Sequence, residues 1–166
     1  MDDLEKRVME FEVGSADVRL SFLGRLCREQ GWSRAYGGRT YFEYKRFILL
    51  AVLAGHPVTP SEDVDHVWHL HLLYTRSYWH ALCRDVLGQE LHHGPTVGGI
   101  EEKDKFVDWY EKTLDSYERI FQEAPPVDIW PIPEERFRYA GEWKSYNSGR
   151  YLLLPRWREL FRMWRR

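Results

Sequence analysis

The sequence predicts a mainly α-helical protein, a single-domain irregular bundle of five or more helices spanning 1–166 and crossed by a proline-rich extended strap. Three observations predict it. Apolar residues recur at three- and four-residue spacing along nearly the whole chain, the period of a helix with one buried face. Ser, Thr, Pro and Gly punctuate these runs where helix starts and stops require them. Four prolines fall between 125 and 133, where no regular element can run. A chain of 166 residues, 43% hydrophobic and 30% charged, is an ordinary size and balance for one globular domain.

The first predicted helix lies in "SADVRLSFLGRLCREQGW". Ser15 is its candidate cap, Val18, Phe22, Leu23 and Leu26 form its apolar face, and Gly31 stops it. The second covers about 40–54, "YFEYKRFILLAVLAG" without its end, and is closed by Gly55, His56 and Pro57. "TPSE" then supplies Thr59 as cap, Pro60 at the first helical position and Glu62 three residues after the cap. The following helix bends near residues 74 and 75. Thr75 is positioned to cap a further helix over 76–87, with Gly88 as its stop. "QELHHGPTVGG" is a loop. A long helix over about 101–122 keeps Phe106, Trp109, Tyr110, Thr113, Leu114, Tyr117 and Phe121 on one face. The strap "EAPPVDIWPIPEERF" is expected to be held down by Ile129 and Trp130. After it come a stretch with room for short strands, about 139–154, and a final helix over about 155–166.

Composition excludes some functions. The net charge of -2 gives no general attraction to nucleic acid, and none is expected as a partner. Two cysteines, Cys27 and Cys83, are too few for a disulfide scaffold and read as buried thiols. The start "MDDLEKRVMEF" lacks the layout of a signal peptide, and "FILLAVLAG" is too short to span a bilayer. The expected location is the cytoplasm.

Chemistry concentrates in "VDHVWHLHLLYTRSYWH", which holds four of the seven histidines. On a wheel of 100° per residue, Val64, Val67, Trp68 and Tyr74 share one face, and His71 falls among them. Asp65 and His69 lie together on nearly the opposite face, with His66 beside them. His69 and His71 therefore cannot serve one metal ion. Asp65 and His69, one turn apart, can. His92 and His93, from the Gly/Pro loop, complete a candidate ligand set of Asp65, His69, His92 and His93 for zinc or iron. The competing reading packs these histidines against Tyr, Asp or backbone with no metal, and it is the preferred one for His56, His66 and His80. No HExxH, CxxC or phosphate-binding loop is present.

"PSEDVDHVWHLHLLYTRSYW" resembles the signature of the glycine-rich domain-containing protein-like family. Asp65, Trp68, His69, His71, Tyr78, Gly88 and His92 occupy its positions. Further likeness runs through "LHHGPTVGG", "DWYEKTLDSYERIF" and "PPVDIWP", over about 42–133. The glycine-rich tail of that family is absent, and the chain ends "RYLLLPRWRELFRMWRR". The resemblance implies that the motif residues act as a unit, with Trp68, His71 and Tyr78 in motif or structural roles. It supplies no reaction.

Two functions follow as expectations. One is a divalent-metal site whose bound water makes it a hydrolase. The other is a non-enzymatic interaction module in which the Trp/His motif is structural. Its contact surface would be the terminal helix, where Trp157, Arg158, Phe161, Arg162 and Trp164 suit a protein groove or an anionic membrane surface.

Overall fold

The computed structural model describes residues 2–14, 20–94 and 100–137, and every regular element among them is a helix. The helices are α1 (Asp2–Glu10), α2 (Phe22–Gln30), α3 (Arg34–Leu53), α4 (Glu62–Leu72), α5 (Arg76–Leu87), α6 (Ile100–Phe121) and α7 (Pro133–Arg136). The mainly helical, irregular bundle expected from the sequence is what forms. The strands considered near 139–154, the final helix and its residues Trp157, Arg158, Phe161, Arg162 and Trp164 lie outside the described residues, as do Ser15 and Val18.

α3 is the central element. It packs against α1, α2, α4 and α6. Phe47, Ile48, Leu49 and Leu50 are buried on successive positions, so this part of the helix is enclosed on all sides rather than on one stripe. The acidic start, where Leu4, Val8 and Phe11 recur at helical spacing, forms α1. Nine residues are too few to hold a helix in water by themselves. Tertiary contacts hold it: Val8 is buried, and Lys45 on α3 donates to Met9 O at 2.9 Å and to Glu12 Oε1 at 2.8 Å just past its end.

Several helix starts differ from the sequence expectation, each for an identifiable reason. α2 begins at Phe22, where Ser21 Oγ accepts from the Gly24 amide. Gly31 ends it as expected, in the left-handed region at φ 70°. α3 begins at Arg34 rather than near 40, because Ser33 caps it and the Gly37–Gly38 pair does not break it. Glycine is needed there for helix packing: a Cβ on Gly37 would lie 2.5 Å from Cys27 Sγ on α2. α4 begins at Glu62, and its cap is Ser61, whose Oγ accepts from the Val64 amide at 3.3 Å. Thr59, expected as the cap, instead uses its amide to reach Thr113 Oγ1 on α6 at 2.9 Å. The Pro60 carbonyl accepts from Arg136. Tertiary bonds thus hold this turn, and the helix starts at the next available cap.

The bend near residues 74 and 75 is present. α5 then runs over the expected 76–87 but is wound as a wide π-helix, closed by the Gly88 amide on Cys83 O. The Thr75 side chain makes no cap bond. In the strap, Ile129 and Trp130 are 1% and 2% exposed and hold it to the core as expected. One correction applies: 133–136 is a single helical turn started by Pro133, a position where the missing amide proton costs nothing.

Candidate metal centre

α4 carries two chemically different faces. Its inward face buries Val64, Val67, Trp68 and His71. Its outward face carries Asp65 and His69, one turn apart, with His69 Nε2 3.4 Å from Asp65 Oδ2. The loop after α5 brings in His93, whose Nε2 lies 2.8 Å from Asp65 Oδ1 and 3.0 Å from His69 Nε2. Three ligand atoms from a helix and a loop therefore meet in one place. The pairwise separations are close to the ~3.3 Å edge of a tetrahedron with 2.0–2.1 Å metal–nitrogen bonds. With both imidazoles neutral and Asp65 ionised, the set is two histidines and one carboxylate, suited to zinc with an open position or to non-haem iron.

Exposure is graded across the group. The His69 side chain is 59% exposed, Asp65 34% and His93 19%. The His93 ring is backed by Trp68, with centroids 4.5 Å apart. One side of the group is thus walled by an aromatic and the other opens to solvent through His69. His92 stands outside the group of three. Its Nε2 is 2.9 Å from Glu90 Oε2, and its ring packs on Trp79. Adjacent loop residues point different ways, so of His92 and His93 only the second meets α4.

His71 occupies the core position expected for it. It is fully buried, Nδ1 is 2.8 Å from Tyr44 Oη and Nε2 is 3.1 Å from Ser77 Oγ. Both ring nitrogens are occupied, one donating and one accepting in the neutral form. Burial pushes its pKa down to about 3, so the ring stays neutral. His56 reaches Ser116 Oγ at 2.8 Å, His66 contacts the Trp32 ring and His80 lies 3.4 Å from Arg84. Cys27 and Cys83 are buried free thiols, as expected.

A second polar cluster was not anticipated. Glu43 on α3 is buried and accepts from Tyr117 Oη and Trp130 Nε1, both at 2.9 Å. Arg46 donates to Tyr117 Oη, pairs with Glu123 and stacks on Phe42 and Phe121. Burial raises the Glu43 carboxyl above its ordinary value, and the two hydrogen bonds partly offset this. The cluster borders a cleft of about 610 Å³ lined also by Arg39, Phe42 and Ile129. In sequence, "YFEYKRF" lies within the helix expected over about 40–54, and Glu43 carries no motif. The only hint was a Glu at the spacing of the buried face.

Against known proteins, a family model described as UCP032817-like matches residues 38–105. The match spans the central helix, α4, α5 and the His93 loop, and so contains all three members of the His/Asp group. No curated protein and no solved structure matches the chain. Among the described residues no helix is long and apolar enough to cross a membrane.

Proposed function

We propose that Asp65, His69 and His93 hold one divalent metal ion, zinc or iron, as a three-ligand centre with a position left for water or substrate. The observation that carries this is the convergence of His69 Nε2, His93 Nε2 and an Asp65 oxygen from elements far apart in sequence. The same three atoms are within hydrogen-bond distance of one another, and a cation placed among them would replace those hydrogen bonds with ligand bonds. The site's exposure through His69 favours a ligand exchanging with solvent over a closed structural ion.

Such an ion lowers the pKa of bound water towards neutrality, and a hydrolytic reaction is the activity we propose for the site. Glu90, exposed, paired with His92 and three residues before His93, is the candidate base for that reaction. The resemblance to the glycine-rich domain-containing protein-like family belongs to the same proposal. Its span, 42–133, overlaps the matched residues 38–105, and its motif supplies Asp65 and His69.

Elemental analysis of purified protein tests the reading. One equivalent of zinc or iron is expected in the wild type, and none in His69→Ala or His93→Ala. A wild-type protein that fails to take up zinc, ferrous iron or cobalt at micromolar concentration would overturn it.

A further inference from the structure

Two of the three proposed ligands are set by helical spacing alone. The third is not. His93 sits in a loop without regular hydrogen bonding, and its imidazole must nevertheless reach Asp65 and His69 to within about a bond length. What fixes it there is on the page. Trp68 lies on α4 between Asp65 and His69 in sequence, and its Nε1 donates to Tyr78 Oη at 2.9 Å. Tyr78 Oη in turn donates to the carbonyl of Leu91, two residues before His93. The proton order in this chain has no alternative. An indole nitrogen only donates and a carbonyl only accepts, so the Tyr78 hydroxyl must receive from one and give to the other. Tyr78 is fully buried, so water does not compete for either bond. The Trp68 ring then backs the His93 imidazole directly.

We infer that Tyr78 is a positioning residue for the metal centre: its hydroxyl locks the loop carrying His93 to the same helix that supplies Asp65 and His69. The inference rests on the metal reading above and adds to it the residue that makes a loop histidine behave as a preorganised ligand. Outer partners of this kind typically change metal affinity about 10–100-fold when removed.

The test compares cobalt and zinc titrations of the full chain in the wild type, Tyr78→Phe and Tyr44→Phe. Tyr44→Phe is the matched control. It also removes a buried tyrosine hydroxyl, but one whose bond goes to His71 and not to the His93 loop. Tyr78→Phe is expected to bind metal about 10–100-fold more weakly, with faster amide exchange at 91–93. Tyr44→Phe is expected to lose thermal stability with unchanged affinity. Equal affinities for wild type and Tyr78→Phe overturn the positioning role and leave the metal centre standing. Equal losses in both variants overturn it too, since the effect would then follow stability. No metal uptake by the wild type removes the centre and the inference together. If Tyr78→Phe does not fold, Trp68→Phe cuts the same chain at its other link; because it also removes the indole behind His93, unchanged metal affinity in it overturns the inference, and a loss supports it only with faster amide exchange at 91–93.

Discussion

His69 and His71 sit on one helix, two positions apart, and the bundle treats them oppositely. His71 has both ring nitrogens bonded, lies in the core and stays neutral. His69 is more than half exposed, and its Nε2 faces another imidazole and a carboxylate. A saturated imidazole has no lone pair left for a ligand and contributes by packing and by hydrogen bonding. An unsaturated one at the rim contributes little to stability and is available for chemistry. The Glu43 cluster makes the same point with acids. Glu43 spends its oxygen on Tyr117 and Trp130, while Asp65 shares its two oxygens with groups that also bind metals. Whether neighbouring groups already use up a side chain's bonding capacity, rather than its identity, separates structural from functional residues here.

The largest expected effect breaks the comparison at its buried end. His71→Ala leaves a cavity and deprives Tyr44 and Ser77 of their partner, so it should cost about 2–5 kcal/mol in urea denaturation. His69→Ala should cost less than about 1 kcal/mol, in keeping with an exposed position. Equal losses would erase the distinction between the two faces.

The buried ring also has a pH signature. Its folded pKa is depressed to about 3, while the unfolded chain titrates near the ordinary value of 6.5. Between those values the unfolded state binds a proton that the folded state does not. Stability from this group is therefore full above about pH 6.5 and is lost as pH falls towards about 3, at up to about 1.4 kcal/mol per unit. The stability gap between wild type and His71→Ala should narrow over that window. A constant gap from pH 7 to pH 4 would show that the ring is not held neutral.

At the exposed end the readout is affinity. His69→Ala and His93→Ala should each weaken zinc binding by about 100-fold or more, a loss of about 2.7 kcal/mol. His92→Ala should leave it unchanged, because His92 pairs with Glu90. Binding should weaken in acid, since a coordinating imidazole must be unprotonated. A His92 effect as large as that of His93 would move the site. A smaller effect sharpens the account of packing around α4. Gly37→Ala forces a methyl against Cys27 Sγ and should destabilise by about 1–3 kcal/mol, although alanine is the better helix former. Ser61→Ala should cost about 1 kcal/mol, which tests Ser61 rather than Thr59 as the cap.

Much of this was legible in the sequence. Helical periodicity determined the helical class, the extents of α5 and α6, the stops at Gly31 and Gly88, and the division of α4 into a core face with His71 and an outer face with Asp65 and His69. These follow from local geometry, because 3.6 residues per turn fixes which side chains share a face. Tertiary structure decided the rest. It chose Ser61 over Thr59, holding the Thr59 amide on α6 and the Pro60 carbonyl on Arg136, and it made Gly37 of α3 the point of closest approach to α2. It chose His93 over His92, and it buried Glu43 among groups some seventy to ninety residues away. A loop's direction and a side chain's distant partners depend on which surfaces meet, and no local period in the chain encodes that.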